Sequence, residues 1–238
     1  MERKEFLKRG FSALGLAAII PVISCSNDTV DPVETSTDTT GSTSGSCTLT
    51  ASETAGPFPT KTPASLVSND ITSDRSGTKL TVKITIQNKN NSCEGLEGAL
   101  VDIWHCDAAG NYSEYGGTGM QSTNYTSVHF LRGRQTTDAN GLVTFTSIYP
   151  GWYSGRATHI HVHIYNASGK SLLVTQIAFP EEISKLVYAQ GVYASHGQAD
   201  TTNARDNVFG DGVSTEMSTV TGSVTAGYEL THAIVVSG

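Results

Sequence analysis

The amino-acid sequence predicts an all-β protein, a single antiparallel β-sandwich with long loops and one short helix. Three observations predict it. Charged residues make up only 16% of the 238 residues while glycine occurs 24 times, a balance that suits strands and turns better than a helical bundle. Several runs alternate apolar and polar side chains with a period of two, as half-buried strands require. Turn-forming pairs separate those runs: Asn140-Gly141 after Asp138, Pro150-Gly151 and Ser168-Gly169.

The chain opens with an export address. Arg3, Lys4, Lys8 and Arg9 form a positive start, followed by an apolar stretch from Phe11 to Ile23. That stretch is too short to span a bilayer, which takes about 20 apolar residues. Val22-Ile23-Ser24-Cys25 then resembles the lipobox of bacterial lipoproteins, which makes residues 1–24 a lipoprotein-type signal and Cys25 the lipidated N-terminus. Arg3-Lys4-Glu5-Phe6-Leu7-Lys8 also resembles a twin-arginine signal with Lys in the second Arg position, so the export route stays open. Residues 25–46 follow as a Ser/Thr/Asp-rich tether. Eleven of positions 26–46 are Ser or Thr, four are acids, and none is aromatic. Such a segment buries too little apolar surface to offset its ordering entropy and is expected to be disordered. The protein is therefore expected to be an exported cell-envelope lipoprotein that meets the membrane only through its lipid.

The folded part is expected from residue 47 to 238. Leu80, Val82, Ile84 and Ile86 alternate with Thr81, Lys83 and Thr85 in a first strand. Ala99 to Cys106, Leu142 to Ile148, His159 to Tyr165 and Leu172 to Phe179 follow, and Ala233 to Val236 could close the sheet. Glu181 to Gln190 reads as the helix, with Ile183, Leu186, Val187 and Gln190 on one face. Three Cys remain beyond Cys25. Cys47 opens the domain and Cys93 precedes the second strand, which favours a Cys47–Cys93 disulfide among the three pairings and leaves Cys106 free and buried.

The net charge is −7. Residues 1–24 contribute +2 and the tether −4, so about −5 belongs to residues 47–238. An acidic domain with no basic run beyond the first nine residues excludes a phosphate-tracking nucleic-acid binder.

The chemistry concentrates in Tyr153-Ser-Gly-Arg156-Ala-Thr-His159-Ile-His161-Val-His163. Side chains at i and i+2 of a strand share a face about 7 Å apart at Cα, which suits His159 and His161 as neighbouring ligands of one metal. His163, a further step along, reads as an ordinary polar position. Cysteines are not spaced for structural zinc, and no acid adjoins the His pair in sequence. Tyrosine is plentiful, and phenolate is a hard anionic donor suited to Fe(III), whose charge lowers the phenol pKa. The residues alone leave open which tyrosine serves, with Tyr115, Tyr125 and Tyr149 all near Tyr112 or Tyr153.

The chain resembles the intradiol ring-cleavage dioxygenases, the catechol and protocatechuate 3,4-dioxygenase family, over about residues 47–238, and is most similar to their secreted single-domain bacterial members. The resemblance is carried by Glu53-Thr-Ala-Gly-Pro-Phe58, Gly98 to Ser113, Phe130-Leu-Arg-Gly, Thr137-Asp-Ala-Asn-Gly141, Tyr149-Pro-Gly-Trp-Tyr153, Arg156, His159-Ile-His161 and Thr175-Gln176. It implies Tyr112, Tyr153, His159 and His161 as ligands of Fe(3+), Arg156 as the cation over the bound ring, and Gln176 as a supporting group on the substrate side. It implies a small aromatic diol and O2 as substrates, cleavage between the two hydroxylated carbons and a cis,cis-muconate product. Trp104, Trp152 and His105 read as packing or supporting residues. The first segment departs from the family pattern, with Ala55 where relatives often have Glu and Phe58 where they often have Tyr.

Two other readings compete. The strand–turn–strand framework also resembles transthyretin-like and adhesin-type surface modules, which need no metal ligands. His105-Cys-Asp107 could instead supply part of a two-His-one-carboxylate ferrous site. The export reading makes one direct prediction: palmitate labelling of the expressed protein is lost in Cys25→Ala, and labelling that persists in that variant overturns the lipoprotein assignment.

Overall fold

The computed structural model describes residues 47–238, so the expected signal, the expected tether and the proposed lipidation position Cys25 lie outside the described residues. Strand β1 (Lys79–Asn88) shows how the sequence builds the sandwich. Its apolar residues Leu80, Val82, Ile84 and Ile86 are fully buried, while Thr81, Lys83 and Thr85 take the other side. The remaining strands are β2 (Glu94–Gly95), β3 (Leu100–Trp104), β4 (Arg132–Thr136), β5 (Leu142–Ile148), β6 (His159–Tyr165), β7 (Ser171–Ala178), β8 (Thr219–Ser223) and β9 (Gly227–Val236).

They form two sheets. The first runs β2-β1-β9-β8, with β5 also paired to β1; the second runs β4-β3-β6-β7. Their facing residues make one core: Val82, Ile84, Phe145, Leu230 and Ile234 from the first sheet pack with Val101, Ile103, Ile160, Val162 and Ile164 from the second. Every pairing is antiparallel except β1 with β9, whose registers Val82↔Leu230 and Ile86↔Ile234 run parallel. The sandwich is thus antiparallel-dominated. Parallel neighbours need a long crossover, and here nearly the whole domain intervenes between β1 and β9.

Two strands carry no readable periodicity. β4 has the sequence RGRQT, because its outward side chains are Arg132 and Arg134 engaged in ion pairs rather than in water. β8 is interrupted by Gly222 and lies at an edge. β9 is longer than Ala233–Val236 suggests, since polar Glu229 and Thr231 occupy its outer positions. The helix α1 (Glu181–Tyr188) stops two residues short of the expected Gln190. It also buries a neighbouring face, with Ser184, Val187 and Tyr188 inward and Leu186 57% exposed. The Tyr149 and Tyr188 hydroxyls explain this rotation: each finds a polar partner in the interior, Tyr149 at Ser184 Oγ and Tyr188 at Thr158 Oγ1.

The β5 approach is a tight turn. Asp138 Oδ1 accepts from the amides of Asn140 and Leu142, and Gly141 adopts φ +75°. A β-carbon on Gly141 would lie 2.3 Å from the Ile86 carbonyl oxygen, so glycine is required there. Cys47 and Cys93 are disulfide-bonded, with Cα atoms 5.8 Å apart, which ties the start of the domain to the loop after β1. Cys106 is free and buried. No helix among the described residues is long and apolar enough to cross a membrane.

His105 sits inside this framework. Its Nδ1 donates to the Cys106 carbonyl and its Nε2 faces Ser147 Oγ, both at 2.8 Å. Full burial pushes its pKa from 6.5 down to about 4. The unfolded chain therefore binds a proton at His105 between about pH 6.5 and pH 4 that the folded chain refuses. Stability is complete above pH 6.5 and is lost as pH falls through that window, by about 3 kcal/mol from this group at 1.36 kcal/mol per pH unit. Chemical denaturation from pH 7.5 to pH 4 checks this; a flat profile overturns it.

Candidate metal centre

The alternation of β6 separates two tasks. Ile160, Val162 and Ile164 enter the sandwich core, so His159, His161 and His163 must lie on the outer face of the second sheet. His159 and His161 are nevertheless buried, because other segments cover that face. The strap of residues 53–60 passes directly over His161. A β-carbon on Gly56 would meet His161 Cε1 at 2.9 Å, and Gly56 has φ +68°. Beneath lies Trp104, the cross-strand partner of His161, its ring stacked at 4.8 Å and 3°.

The two imidazoles converge, with their Nε2 atoms 3.1 Å apart. His159 Nδ1 donates to the Ala157 carbonyl at 2.6 Å, which leaves the Nε2 lone pair free. Burial pushes the His159 pKa down to about 3, assisted by the nearby Arg156 cation. Burial also holds His161 well below its ordinary value, with His159 and Arg156 adding to the effect. Both rings are therefore neutral at pH 7. His161 Nδ1 is buried without a hydrogen-bond partner.

Tyr112 reaches the pair from the loop after β3. Asp107 caps that loop, its Oδ1 accepting from the amides of Ala109 and Asn111. The loop returns the fully buried Tyr112 hydroxyl to 3.4 Å from His159 Nε2. Tyr153 packs edge-on against both Tyr112 and His159, with centroids 5.7 Å apart in each case. Burial raises the pKa of both phenols, and Arg156 works against the rise.

Arg156 is clamped on several sides. Its Nη1 donates to the Tyr153 hydroxyl at 3.2 Å, its Nη2 to Gln176 Oε1, and its Nε to both oxygens of Asp206 at 2.9 Å. Gln176 in turn donates to the Thr54 carbonyl at 2.9 Å. The structure thus brings together Tyr112, Tyr153, Arg156, His159, His161 and Gln176, drawn from three separated stretches of sequence.

Other candidates fall elsewhere. His163 is engaged by Ser171 Oγ and the Tyr165 hydroxyl, each at 2.8 Å. The Tyr115 hydroxyl donates to the Pro59 carbonyl, Tyr149 pairs with Ser184, and Tyr125 packs on Phe130. His105 and Asp107 are consumed by core and turn contacts and do not converge on a site.

Two positioning residues escape the sequence reading. Asp206 is buried and also accepts from the amides of Ala157 and Val208; a single acid in a long loop gives no periodic signal. Arg132 donates to the Phe58 carbonyl at 2.9 Å, to Ser113 Oγ at 2.9 Å and to the Ser113 carbonyl at 2.7 Å. It joins the strap and the Tyr112 loop to β4. The motif Phe130-Leu-Arg-Gly contained it without revealing that use.

Comparison with known proteins gives consistent results. A family model described as "Dioxygenase" matches residues 55–219. A chlorocatechol 1,2-dioxygenase of Rhodococcus opacus is 29% identical over 142 residues, covering 52% of this chain and 51% of its own. The chain thus matches about half the length of that curated relative. Among solved structures, an intradiol ring-cleavage dioxygenase from Tetranychus urticae superposes with TM-score 0.71 at 28% identity, covering 80% of this chain and 95% of its own. The dioxygenase domain of a dioxygenase–carbohydrate-binding fusion from Streptomyces sp. SirexAA-E gives 0.56 at 28% identity, covering 79% and 97%.

The strap contact is testable without any activity assay. Gly56→Ala combines a left-handed backbone with a β-carbon pressed on His161, whereas Gly155→Ala has φ +82° but nothing within 4 Å. Both substitutions destabilise, by about 1 kcal/mol or more for backbone strain. Gly56→Ala is expected to cost at least about 1 kcal/mol more, from overpacking. Equal denaturation midpoints for the two variants would remove the strap's role.

Proposed function

This chain belongs to the intradiol ring-cleavage dioxygenase family, and from that premise we propose that it is a non-haem Fe(III) enzyme acting on a small catechol-type diol. It opens the ring between the two hydroxylated carbons, incorporates both atoms of O2 and yields a cis,cis-muconate. The observation that carries the proposal is the convergence of two neutral Nε2 atoms, 3.1 Å apart, with the Tyr112 hydroxyl 3.4 Å away in a buried volume.

The donor set fits the metal. Tyr112, Tyr153, His159 and His161 offer two imidazole nitrogens and two phenol oxygens, and the imidazoles are already neutral, as ligation requires. The phenols are held protonated by burial, and a trivalent cation reverses that preference. When bound, Fe(III) supplies Lewis acidity that withdraws electron density from a chelated diol.

The chain's own residues do the rest. The Tyr153 oxygen, stabilised as an anion by the Arg156 N–H at 3.2 Å, is placed to accept a proton from the incoming diol. The Arg156 guanidinium is a fixed positive charge next to the ligands and stabilises negative charge that develops on the ring. Asp206 and Gln176 keep that guanidinium from swinging away, so no reorganisation is needed during reaction. The strap residues Gly56 and Phe58 and the loop residue Tyr112 exclude water. Phe58 stacks on Tyr112 at 4.8 Å and meets Tyr153 edge-on at 6.2 Å, so its ring adds an apolar surface where a tyrosine would add a hydroxyl. That composition favours diols with small or apolar substituents beside Phe58. A surface stalk has no use for two buried, neutral imidazoles beside a clamped arginine. Export and lipid attachment at Cys25 are proposed from residues 1–46 alone.

Loading purified protein with Fe(III) and recording visible absorption and oxygen uptake over a panel of catechols tests the proposal. Wild type is expected to show a phenolate-to-iron charge-transfer band and to consume O2; protein that stays colourless after loading overturns the assignment. Arg156→Ala is expected to retain the band while losing 10²–10³ in rate, about 2.7–4 kcal/mol. Wild-type turnover in that variant would end the role given to Arg156.

A further inference from the structure

Along the edge of β7 that faces away from β6 lies a second cluster of ionisable groups. Glu53, Asp211 and Glu216 each present a carboxylate oxygen within 4.8 Å of the other two. They come from three parts of the fold. Glu53 begins the strap, and its amide donates to the Val174 carbonyl of β7 at 2.8 Å. Glu216 runs alongside the end of β7, its carbonyl accepting from the Ala178 amide at 2.9 Å. Asp211 is exposed on the loop between Asp206 and Glu216.

The environment of Glu216 makes the cluster more than a solvated acidic patch. Glu216 is fully buried. One of its oxygens lies 3.5 Å from the Thr175 hydroxyl, and the other, Oε2, is buried with no hydrogen-bond partner. A buried carboxylate without a partner is costly, and proteins resolve that cost by keeping the group protonated, by pairing the charge or by coordinating a cation that displaces the proton. The side chains gathered around it carry the same sign. Burial together with Glu53 and Asp211 pushes the Glu216 pKa up to about 8, and burial together with Asp211 raises that of Glu53. Arg156 is the cation that Glu53 senses, but its guanidinium is committed to Asp206, Gln176 and Tyr153.

We propose that Glu53, Asp211 and Glu216 form a binding site for one hard divalent cation of the calcium type, separate from the tyrosine–histidine centre. The donors are all oxygens, with no imidazole or thiolate in the group, which disfavours zinc, copper and nickel. Calcium bonds its oxygen ligands at 2.3–2.6 Å, so two ligands of one ion lie at most about 5 Å apart, and the observed spread of up to 4.8 Å falls within that reach. One exposed acid, one half-buried acid and one buried acid form a path from solvent to a deep ligand, and water completes the coordination on the Asp211 side. Calcium tolerates this irregular, partly hydrated geometry, whereas magnesium demands a near-ideal octahedron. Occupancy would join the strap to the loop that carries Asp206, and so hold two of the segments that frame Arg156.

The test uses the full iron-loaded protein, stripped of calcium with a selective chelator and dialysed against radioactive Ca²⁺. One Ca²⁺ per chain is expected, with wild type showing a higher thermal midpoint in calcium than in chelator. Glu216→Gln and Asp211→Asn are each expected to weaken binding by at least about tenfold and to abolish the calcium-dependent rise in midpoint. Asp211 is exposed, so that variant reports even if Glu216→Gln folds poorly. No retained calcium at about 10 mM free ion, or binding that both variants leave unchanged, overturns the proposal. The iron band serves as an internal control: calcium loss with the band intact separates this site from the tyrosine–histidine centre.

Discussion

The alternation of β6 is the constraint on which the rest of the structure depends. Three isoleucine or valine side chains on one face are locked into the sandwich core, and that locking aims His159 and His161 at the opposite face with no freedom to choose otherwise. Sliding the strand by one residue would place imidazoles in the core and aliphatic groups in the site. Core packing and site geometry are therefore one requirement. The neighbours of β6 extend it sideways: Arg132, Trp104, His161 and Gln176 occupy consecutive cross-strand positions on β4, β3, β6 and β7. One row across the sheet thus holds a clamp for the covering segments, a stacking platform, an imidazole and the amide that orients Arg156.

Burying such a row is unfavourable unless each polar group is satisfied or neutral. The sheet meets this in two ways. The histidines and phenols are kept uncharged by burial, which leaves their lone pairs ready for a cation without a prior loss of protons from the imidazoles. The permanent charges, Arg132 and Arg156, are held by multiple hydrogen bonds to carbonyls, hydroxyls, an amide and the carboxylate of Asp206. A positive charge held in this way does not need to reorganise when negative charge appears beside it, and that is the source of its electrostatic value. The arrangement also explains why the strap matters. Gly56 and Phe58 close the outer face, and without them the row would be an exposed strip of sheet in which the same charges interact through water and count for little.

The sequence by itself determined the class of the fold, because period-two alternation in β1, β3, β5, β6 and β7 is a local property of each segment. It determined that His159 and His161 share a face for the same reason, and the resemblance of the surrounding motifs pointed to Tyr112, Tyr153, Arg156 and Gln176. It also placed Cys47 and Cys93 near a sheet end, where the structure joins them. What it hid were features whose residues look unremarkable in their own neighbourhoods. β4 shows no apolar alternation because its arginines are satisfied by Asp102 across the sheet and by the loop residue Ser113. The buried face of α1 is turned by tyrosine hydroxyls that seek partners in the interior. The parallel pairing of β9 with β1 joins strands separated by almost the whole domain. Asp206 and the Glu53–Asp211–Glu216 group are scattered acids in loops, and only the tertiary structure decided what each of them faces. A strand's periodicity is written between neighbours in the chain, whereas the partner of a single loop carboxylate is chosen by contacts far apart in sequence.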